Sequence, residues 1–497
     1  MQVDSDFLFG WERRTAATAA TAPAAPAARP LVATGWLLAV LAALLFAANV
    51  ALHFPGVMNN DSIQQYRQAV TGQYADWHPP MMAWMWSVMR VFGDGPGPML
   101  VLHLALYWSG FALLADALRR CGHPRIGLAM VLAGAFPPFL YVNAQVVKDV
   151  GMATAWLAAI GVLFWFRAQG RRVPWPAGAL VAALLVYGAM VRTNALFGLG
   201  PLLLLALAPA AWLRNLRLMV AAVVVAVVAL PVSMQANRVL FQPKEQHAIQ
   251  SLFIFDLMGM AVHTGNPALL EPRATLTRED LPACYSPYWW DSLSPWGRCA
   301  AKVNRPAGVE MPTLPDGLAA QWLRTIAQHP LAYAEHRLKH FNSALLFAVP
   351  PKHIRLTPEY RTDDPAIPPL EVVTARDIRL DIVRKNPAVW PVVWLTWAAC
   401  LLVLLRREET PGTALARVLA VSALGYSGAY LVIGVATDMR YHYWSLLAVL
   451  IATLVALPRL LPMLRRRAPA VVASAALVGA VVAVGVATRL LDVRALV

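Results

Sequence analysis

The chain has 497 residues, of which 59% are hydrophobic and only 14% charged, with a mean hydropathy of +0.53. A chain this apolar and this long is excluded from the soluble globular class and falls in the polytopic membrane class. Its net charge of +15 resides largely in arginines clustered between apolar runs, so it reports membrane topology and does not call for a nucleic-acid partner.

Met1 to Pro30 is an Ala-, Pro- and Thr-rich stretch without the layout of a signal peptide, and residues 1–30 read as a disordered cytoplasmic tail. Apolar runs of spanning length follow at about 31–52, 98–118, 125–142, 149–167, 176–191, 193–212, 216–236, 388–405, 413–435, 441–460 and 469–488. The expected fold is therefore all-α, with about eleven transmembrane helices. Arg192 and Asn194 divide the fifth run from the sixth. One long tilted helix is the alternative there.

The basic residues test this count. With the N-terminus inside, the cytoplasmic connections receive Arg119, Arg120 and Arg125, then Arg167, Arg171 and Arg172, then Arg214 and Arg217. Arg406, Arg407 and Arg417 follow, and then Arg459 with Arg465, Arg466 and Arg467. Merging the fifth and sixth runs would put the Arg214 segment on the wrong side, so the split is preferred. The expected organisation is then spans one to seven over 31–236, an extracytoplasmic domain over 237–387, and spans eight to eleven over 388–497. A first outer loop covers 53–97. The polar face then lies on the non-cytoplasmic side of the membrane.

The first outer loop holds the densest polar residues. Ser62 and Gln65 have capping-box spacing, so Asn59 to Ser62 is expected to open a short helix. Pro79 and Pro80 suit the first turn of a second helix, whose Met and Trp residues would lie along the membrane surface. Asp61 is then either a first-turn acid or a general base fixed at the membrane edge. His78 either packs at the interface or donates to a phosphate. Asp76 reads as a solvated loop acid, held among the substrate-binding candidates with Arg67.

Further along, Lys148 and Asp149 sit between two apolar runs, as an interfacial ion pair or as part of a site. Arg192, with Asn194 beside it, is costly between apolar stretches unless it faces a polar cavity or a ligand. Arg440 and His442 lie in a Tyr- and Trp-rich turn that also fits an ordinary aromatic belt. Of the four cysteines, only Cys284 and Cys299 fall in the long polar segment. If that segment is exported they can form a disulfide; otherwise they are two unrelated thiols. Under this topology Asp61, Arg67, His78, Lys148, Arg192, Arg440 and His442 reach one face. Basic donors and a carboxylate at one depth suit a lipid-linked phosphate whose headgroup is held while another bond is made to it.

Asp61, then His78-Pro79-Pro80-Met81, then Phe92-Gly93 stand in an order that resembles the GT-C superfamily of polyprenyl-phosphate-sugar-dependent glycosyltransferases. In that superfamily an acidic motif follows the first span. A His-Pro-Pro-Leu element in protein O-mannosyltransferases, or Lys-Pro-Pro-Leu in aminoarabinose transferases, then precedes Phe-Gly and the second span. Val147-Lys148-Asp149, Arg192-Thr193-Asn194-Ala195, His329-Pro330-Leu331-Ala332-Tyr333 with His336-Arg337, and Met439-Arg440-Tyr441 look like features of O-antigen-modifying glucosyltransferases.

The resemblance implies inverting transfer of a sugar from a polyprenyl-phosphate carrier to an extracytoplasmic acceptor such as lipopolysaccharide, another glycan or a protein. Asp61 would be the base, and Arg67, His78, Lys148, Arg192 and Arg440 would hold the phosphate. No cofactor is required. Many relatives place a second acid beside the first, whereas Ser62 follows Asp61 here, so a divalent metal is left open. A flippase or transporter binding the same headgroup is the alternative function.

Overall fold

The computed structural model describes residues 34–209, 211–271, 274–303, 317–350 and 386–491. The expected 1–30 tail, most of 351–387 and the last six residues lie outside them. Among the described residues the chain is helical, and its three β-bridges are isolated.

The first half comprises α1 (Thr34–His53), α2 (Asn60–Thr71), α3 (Met81–Met89), α4 (Gly97–Arg120), α5 (Pro124–Ala133), α6 (Pro137–Asn143), α7 (Lys148–Arg167), α8 (Trp175–Val191), α9 (Leu196–Leu207), α10 (Leu216–Val228) and α11 (Leu230–Phe241). An insertion follows with α12 (Gln250–Thr264), α13 (Asp280–Cys284), α14 (Leu318–Gln328) and α15 (Pro330–Ala344). The chain then closes with α16 (Pro391–Leu404), α17 (Pro411–Gly428), α18 (Tyr430–Ile433), α19 (Tyr443–Arg465) and α20 (Pro469–Leu490).

Seven helical stretches are long and apolar enough to cross a membrane, and α5 with α6, bent by 50°, would make an eighth. Of the expected eleven or so spans, seven or eight are therefore present at full length. The other three runs form α8, α9 and α16, of 17, 12 and 14 residues. The reasons are local. α8 stops where Arg192 turns extended, at φ −149°, and α9 carries Pro201 inside it. α16 starts only at Pro391, whose missing N–H suits a first turn. The division at Arg192 and Asn194 is present, as two helices joined by a short 3-10 turn.

Burial ranks the helices. Most of α7 is enclosed, 83% of its most apolar window, whereas Leu216–Phe241 and Pro469–Leu490 enclose 11% each and turn apolar side chains outward. α4 packs on α7 through small residues: a Cβ on Gly110 would meet the Leu157 backbone at 3.0 Å, so only glycine lets the axes come this close. α17 and α19 complete the core, where Trp444 of α19 meets Trp156 of α7 edge-on at 5.1 Å.

α7 also orients the bundle, because it runs from Lys148 at one end to Arg167 at the other. Arg167 donates to the Ala208 carbonyl at 3.0 Å, and Arg417 donates to the carbonyls of Leu213, Leu405 and Glu408. The arginine-rich connections thus gather at the Arg167 end. At the Lys148 end the bridges Val57 to Gln145 and Trp289 to Ala436 fasten the first loop and the insertion to the bundle, and the bridge Ala75 to Lys244 joins these two to each other.

The insertion has its own core around Phe255, Met258, Met260 and Trp290. Cys284 and Cys299 are disulfide-bonded within it, with their Cα atoms 5.8 Å apart. Because α11 continues to Phe241, the insertion begins a few residues later than the expected 237.

Candidate functional site

Asn59 caps α2, its Oδ1 accepting from Ser62 N at 3.0 Å, which puts Asp61 in the first turn. The expected Ser62 cap is replaced because the Ser62 hydroxyl donates instead to the Val146 carbonyl at 2.6 Å. With Val57 N on Ala144 O at 2.8 Å and Val146 N on Val57 O at 2.9 Å, this fastens the start of α2 to the turn before α7. Asp61 therefore faces the N-terminus of a 20-residue helix. The positive ends of both helix dipoles favour an anion there.

Four elements meet at Asp61. Arg440 Nη2 donates to Asp61 Oδ2 at 2.9 Å, Lys148 Nζ lies 3.8 Å from the same oxygen, and His78 Nε2 lies 3.7 Å from Oδ1. Lys148 Nζ stands 2.6 Å from His78 Nδ1. An ammonium can only donate, so Nδ1 accepts and the ring proton sits on Nε2, towards Asp61. Burial and the facing Lys148 push His78 down to about 3. Burial alone would raise the Asp61 carboxyl, but Arg440, His78 and Lys148 outweigh it and hold the group well below the usual carboxylate range.

A second layer lies behind. Asp149 pairs with Arg192, not with its neighbour Lys148, and Asp149 Oδ2 lies 3.8 Å from Arg440 Nη1. Arg192 Nε donates to Asn194 Oδ1 at 2.7 Å, and its Nη2 donates to the Tyr430 hydroxyl. The Tyr441 ring has the Arg192 guanidinium 4.8 Å and the Arg440 guanidinium 5.1 Å from its centre, with Tyr430 stacked on it at 5.6 Å. Asp438 accepts from Arg440 N and from its Nε, both at 3.0 Å, which aims the guanidinium at Asp61.

Of the residues expected at the site, Asp61, His78, Lys148, Asp149, Arg192, Asn194 and Arg440 come together. His442 lies one layer deeper, with Nδ1 2.8 Å from the Ser427 hydroxyl and its ring against Tyr430. Two expected residues fall elsewhere. Arg67 is exposed and, six positions after Asp61, occupies another face of α2. Asp76 accepts from Gln246 N at 2.6 Å and so ties the first loop to the start of the insertion. Sequence reasoning missed Tyr430 as a partner of Arg192. They lie 238 positions apart, and no local pattern joins them.

The insertion holds another buried charged group. Asp256 pairs with Arg337, stands 3.2 Å from His336 Nε2 and accepts from Trp322 Nε1 at 2.8 Å. Arg337 Nη1 donates to the Gly434 carbonyl at 2.6 Å, and Trp290 N donates to the Val435 carbonyl at 2.9 Å. These bonds hold the stretch that leads to Asp438 and Arg440.

Among the described residues no three His, Cys, Asp or Glu side chains group to hold a metal ion. Comparison with known proteins finds no matching family model, no matching curated protein and no matching solved structure.

Proposed function

We propose that this protein is a GT-C-type membrane glycosyltransferase. It moves a sugar from a polyprenyl-phosphate carrier to an acceptor outside the cytoplasm, using Asp61 as base. In this reading α8, α9 and α16 act as shortened spans in an eleven-span bundle, and the Asp61 end faces the periplasm of a bacterial inner membrane. The observation that carries it is one carboxylate, about a quarter exposed, ringed by Arg440, Lys148 and His78 at the mouth of an apolar bundle.

The chemistry follows from how charge moves. The acceptor oxygen attacks the anomeric carbon, and the carbon–oxygen bond to phosphate breaks with its electron pair passing to the phosphate. The acceptor proton passes to Asp61. One negative charge thus leaves Asp61 as one appears on the phosphate. Arg440 and Lys148 can follow it without the site reorganising, which is the condition for strong electrostatic stabilisation.

The resting geometry also explains how a poor base becomes adequate. Its cations hold Asp61 far below the useful range. A bound phosphate draws on Arg440 and Lys148 and adds negative charge beside the carboxylate, so basicity rises only when the donor is present.

The test is transfer from a labelled polyprenyl-phosphate sugar by purified protein, comparing wild type with Asp61→Asn. Loss of a general base lowers the rate by about 10²–10⁴-fold. Equal transfer by both proteins would remove Asp61 from the role. A wild type that transfers nothing yet moves the lipid across vesicles would establish translocation instead.

A further inference from the structure

The disulfide-closed loop of the insertion carries an aromatic group that the reaction above does not use. Trp77, Trp290 and Trp296 form a triangle with ring centres 5.9, 5.9 and 5.8 Å apart. Trp290 is buried and Trp77 half-buried, whereas Trp296 is 62% exposed. Trp296 stands nearly perpendicular to both other rings, at 77° and 79°. That arrangement, with its exposure, leaves an open indole face.

The position of the triangle is informative. Trp77 is joined by one peptide unit to His78, which stands against Asp61. Trp290 donates its backbone N–H to Val435, on the stretch that leads to Arg440. The rings therefore rest on the two chain segments that supply partners to the base. The loop bearing Trp290 and Trp296 is closed by the Cys284–Cys299 disulfide and pinned by the Trp289 to Ala436 bridge. The platform is thus built before any ligand arrives, which lowers the entropic cost of binding.

We infer that Trp296, backed by Trp77 and Trp290, is a stacking platform for a pyranose ring, so that the acceptor is a glycan and not a hydroxyl of a polypeptide. The inference rests on the glycosyltransferase reading above. An indole face is electron-rich, and the C–H bonds on one side of a pyranose are weakly positive and nearly coplanar, so the two stack. The hydroxyls around the sugar rim stay in water or reach polar groups. Trp296 packs on Trp77, whose chain neighbour His78 stands 3.7 Å from Asp61, so the platform lies on the segment that serves the base.

Saturation-transfer NMR tests this on full-length protein in nanodiscs, with neutral trisaccharides of glucose, galactose, mannose or rhamnose as probes. At least one should receive saturation through the C–H protons of a single ring face. Trp296→Ala should reduce the signal at least five-fold without changing the unfolding temperature, and Trp296→Tyr should restore most of it. No transfer to any probe, or equal transfer with Trp296→Ala, would overturn the platform. So would quenching of Trp296 by brominated lipids in the absence of sugar binding, which would make it a membrane-interface anchor. The two readings fail separately. Sugar binding without transfer from a lipid-linked donor removes the glycosyltransferase and leaves the platform, whereas glycan transfer indifferent to Trp296→Ala removes only the platform.

Discussion

Three carboxylates, Asp61, Asp149 and Asp438, face three cations, Lys148, Arg192 and Arg440, while His78 bridges Lys148 and Asp61. Balanced charge makes the group tolerable where it is buried, and it also sets the response to pH. A free histidine would titrate near 6.5, but His78 is pushed down to about 3 and Asp61 lies below the ordinary carboxylate range. Neither changes charge in the ligand-free protein between about pH 5 and 7.5, so under the proposed reaction kcat/KM for transfer should show no acidic limb over that interval. A limb near pH 6.5 that disappears in His78→Gln would contradict the Lys148 to His78 hydrogen bond. Stability behaves differently. The unfolded chain protonates His78 near 6.5 while the folded protein resists until about 3, so stability is complete above pH 6.5 and lost as pH falls towards 3. This one group contributes a slope of about 1.4 kcal/mol per pH unit. His78→Gln should flatten that part of the unfolding profile. Asp61→Asn makes a further prediction, because removing the carboxylate releases Arg440 and Lys148 from competition. This variant should bind a polyprenyl phosphate more tightly than wild type, as measured by calorimetry in detergent, and weaker binding would show that the cations do not serve the phosphate.

At the level of elements, the stretch from Gly434 to Arg440 joins the insertion to the Asp61 group. It is gripped by Arg337 and Trp290 from the insertion, and a Cβ at Gly434 would come within 2.5 Å of His340 Nε2, so only glycine fits between them. Its far end presents Asp438 and Arg440 to Asp61. Arg337→Gln should therefore speed amide exchange over Val435 to Arg440 and weaken phosphate binding, with no added effect once Arg440→Gln is present. Additive losses would mean that the insertion acts independently of the site. Opening the disulfide with Cys284→Ser should act through the same stretch. For a loop of 15 residues, the lost constraint on the unfolded insertion is worth about 3 kcal/mol. Much of this end of the molecule was legible from sequence, because Lys148 and Arg192 interrupt apolar stretches where a charge needs a reason, and Asp61 and Arg440 stand in polar turns beside apolar runs. Tyr430 and Arg337 were not legible as parts of the site. They act through contacts 238 and 97 positions away, to Arg192 and Gly434, that depend on tertiary packing alone. Asp76 failed in the other direction: its acidity invited a functional role, while a backbone N–H from the insertion absorbs it.

At the scale of the whole molecule, the arginine-rich connections gather at the end of α7 opposite Asp61, and the orientation proposed above rests on applying the positive-inside rule to that asymmetry. The rule counts Lys and Arg near span ends; Arg119, Arg120, Arg167 and Arg214 lie at helix ends or in connections on that side, and Arg417, nearly two turns into α17, reaches the Leu405 and Glu408 carbonyls there. The span count affects this only through parity, so shortened α8 and α9 test the argument: if both fail to cross, the Arg167 and Arg214 segments can still share a side, but Arg192 between them must be buried within the protein, as it is. A native probe is already in place. Cys121 is exposed just after α4 at the arginine-rich end, whereas Cys400 is buried and the remaining two cysteines are bonded to each other. In right-side-out vesicles a membrane-impermeant maleimide should leave wild-type protein unlabelled until the membrane is opened. With Cys121→Ser and Gln73→Cys, at the exposed end of α2, labelling should occur from outside without permeabilisation. The reverse pattern would turn the Asp61 end to the cytoplasm, where a donor already flipped outward could not reach it. Transfer would then have to draw on lipid-linked sugar in the inner leaflet.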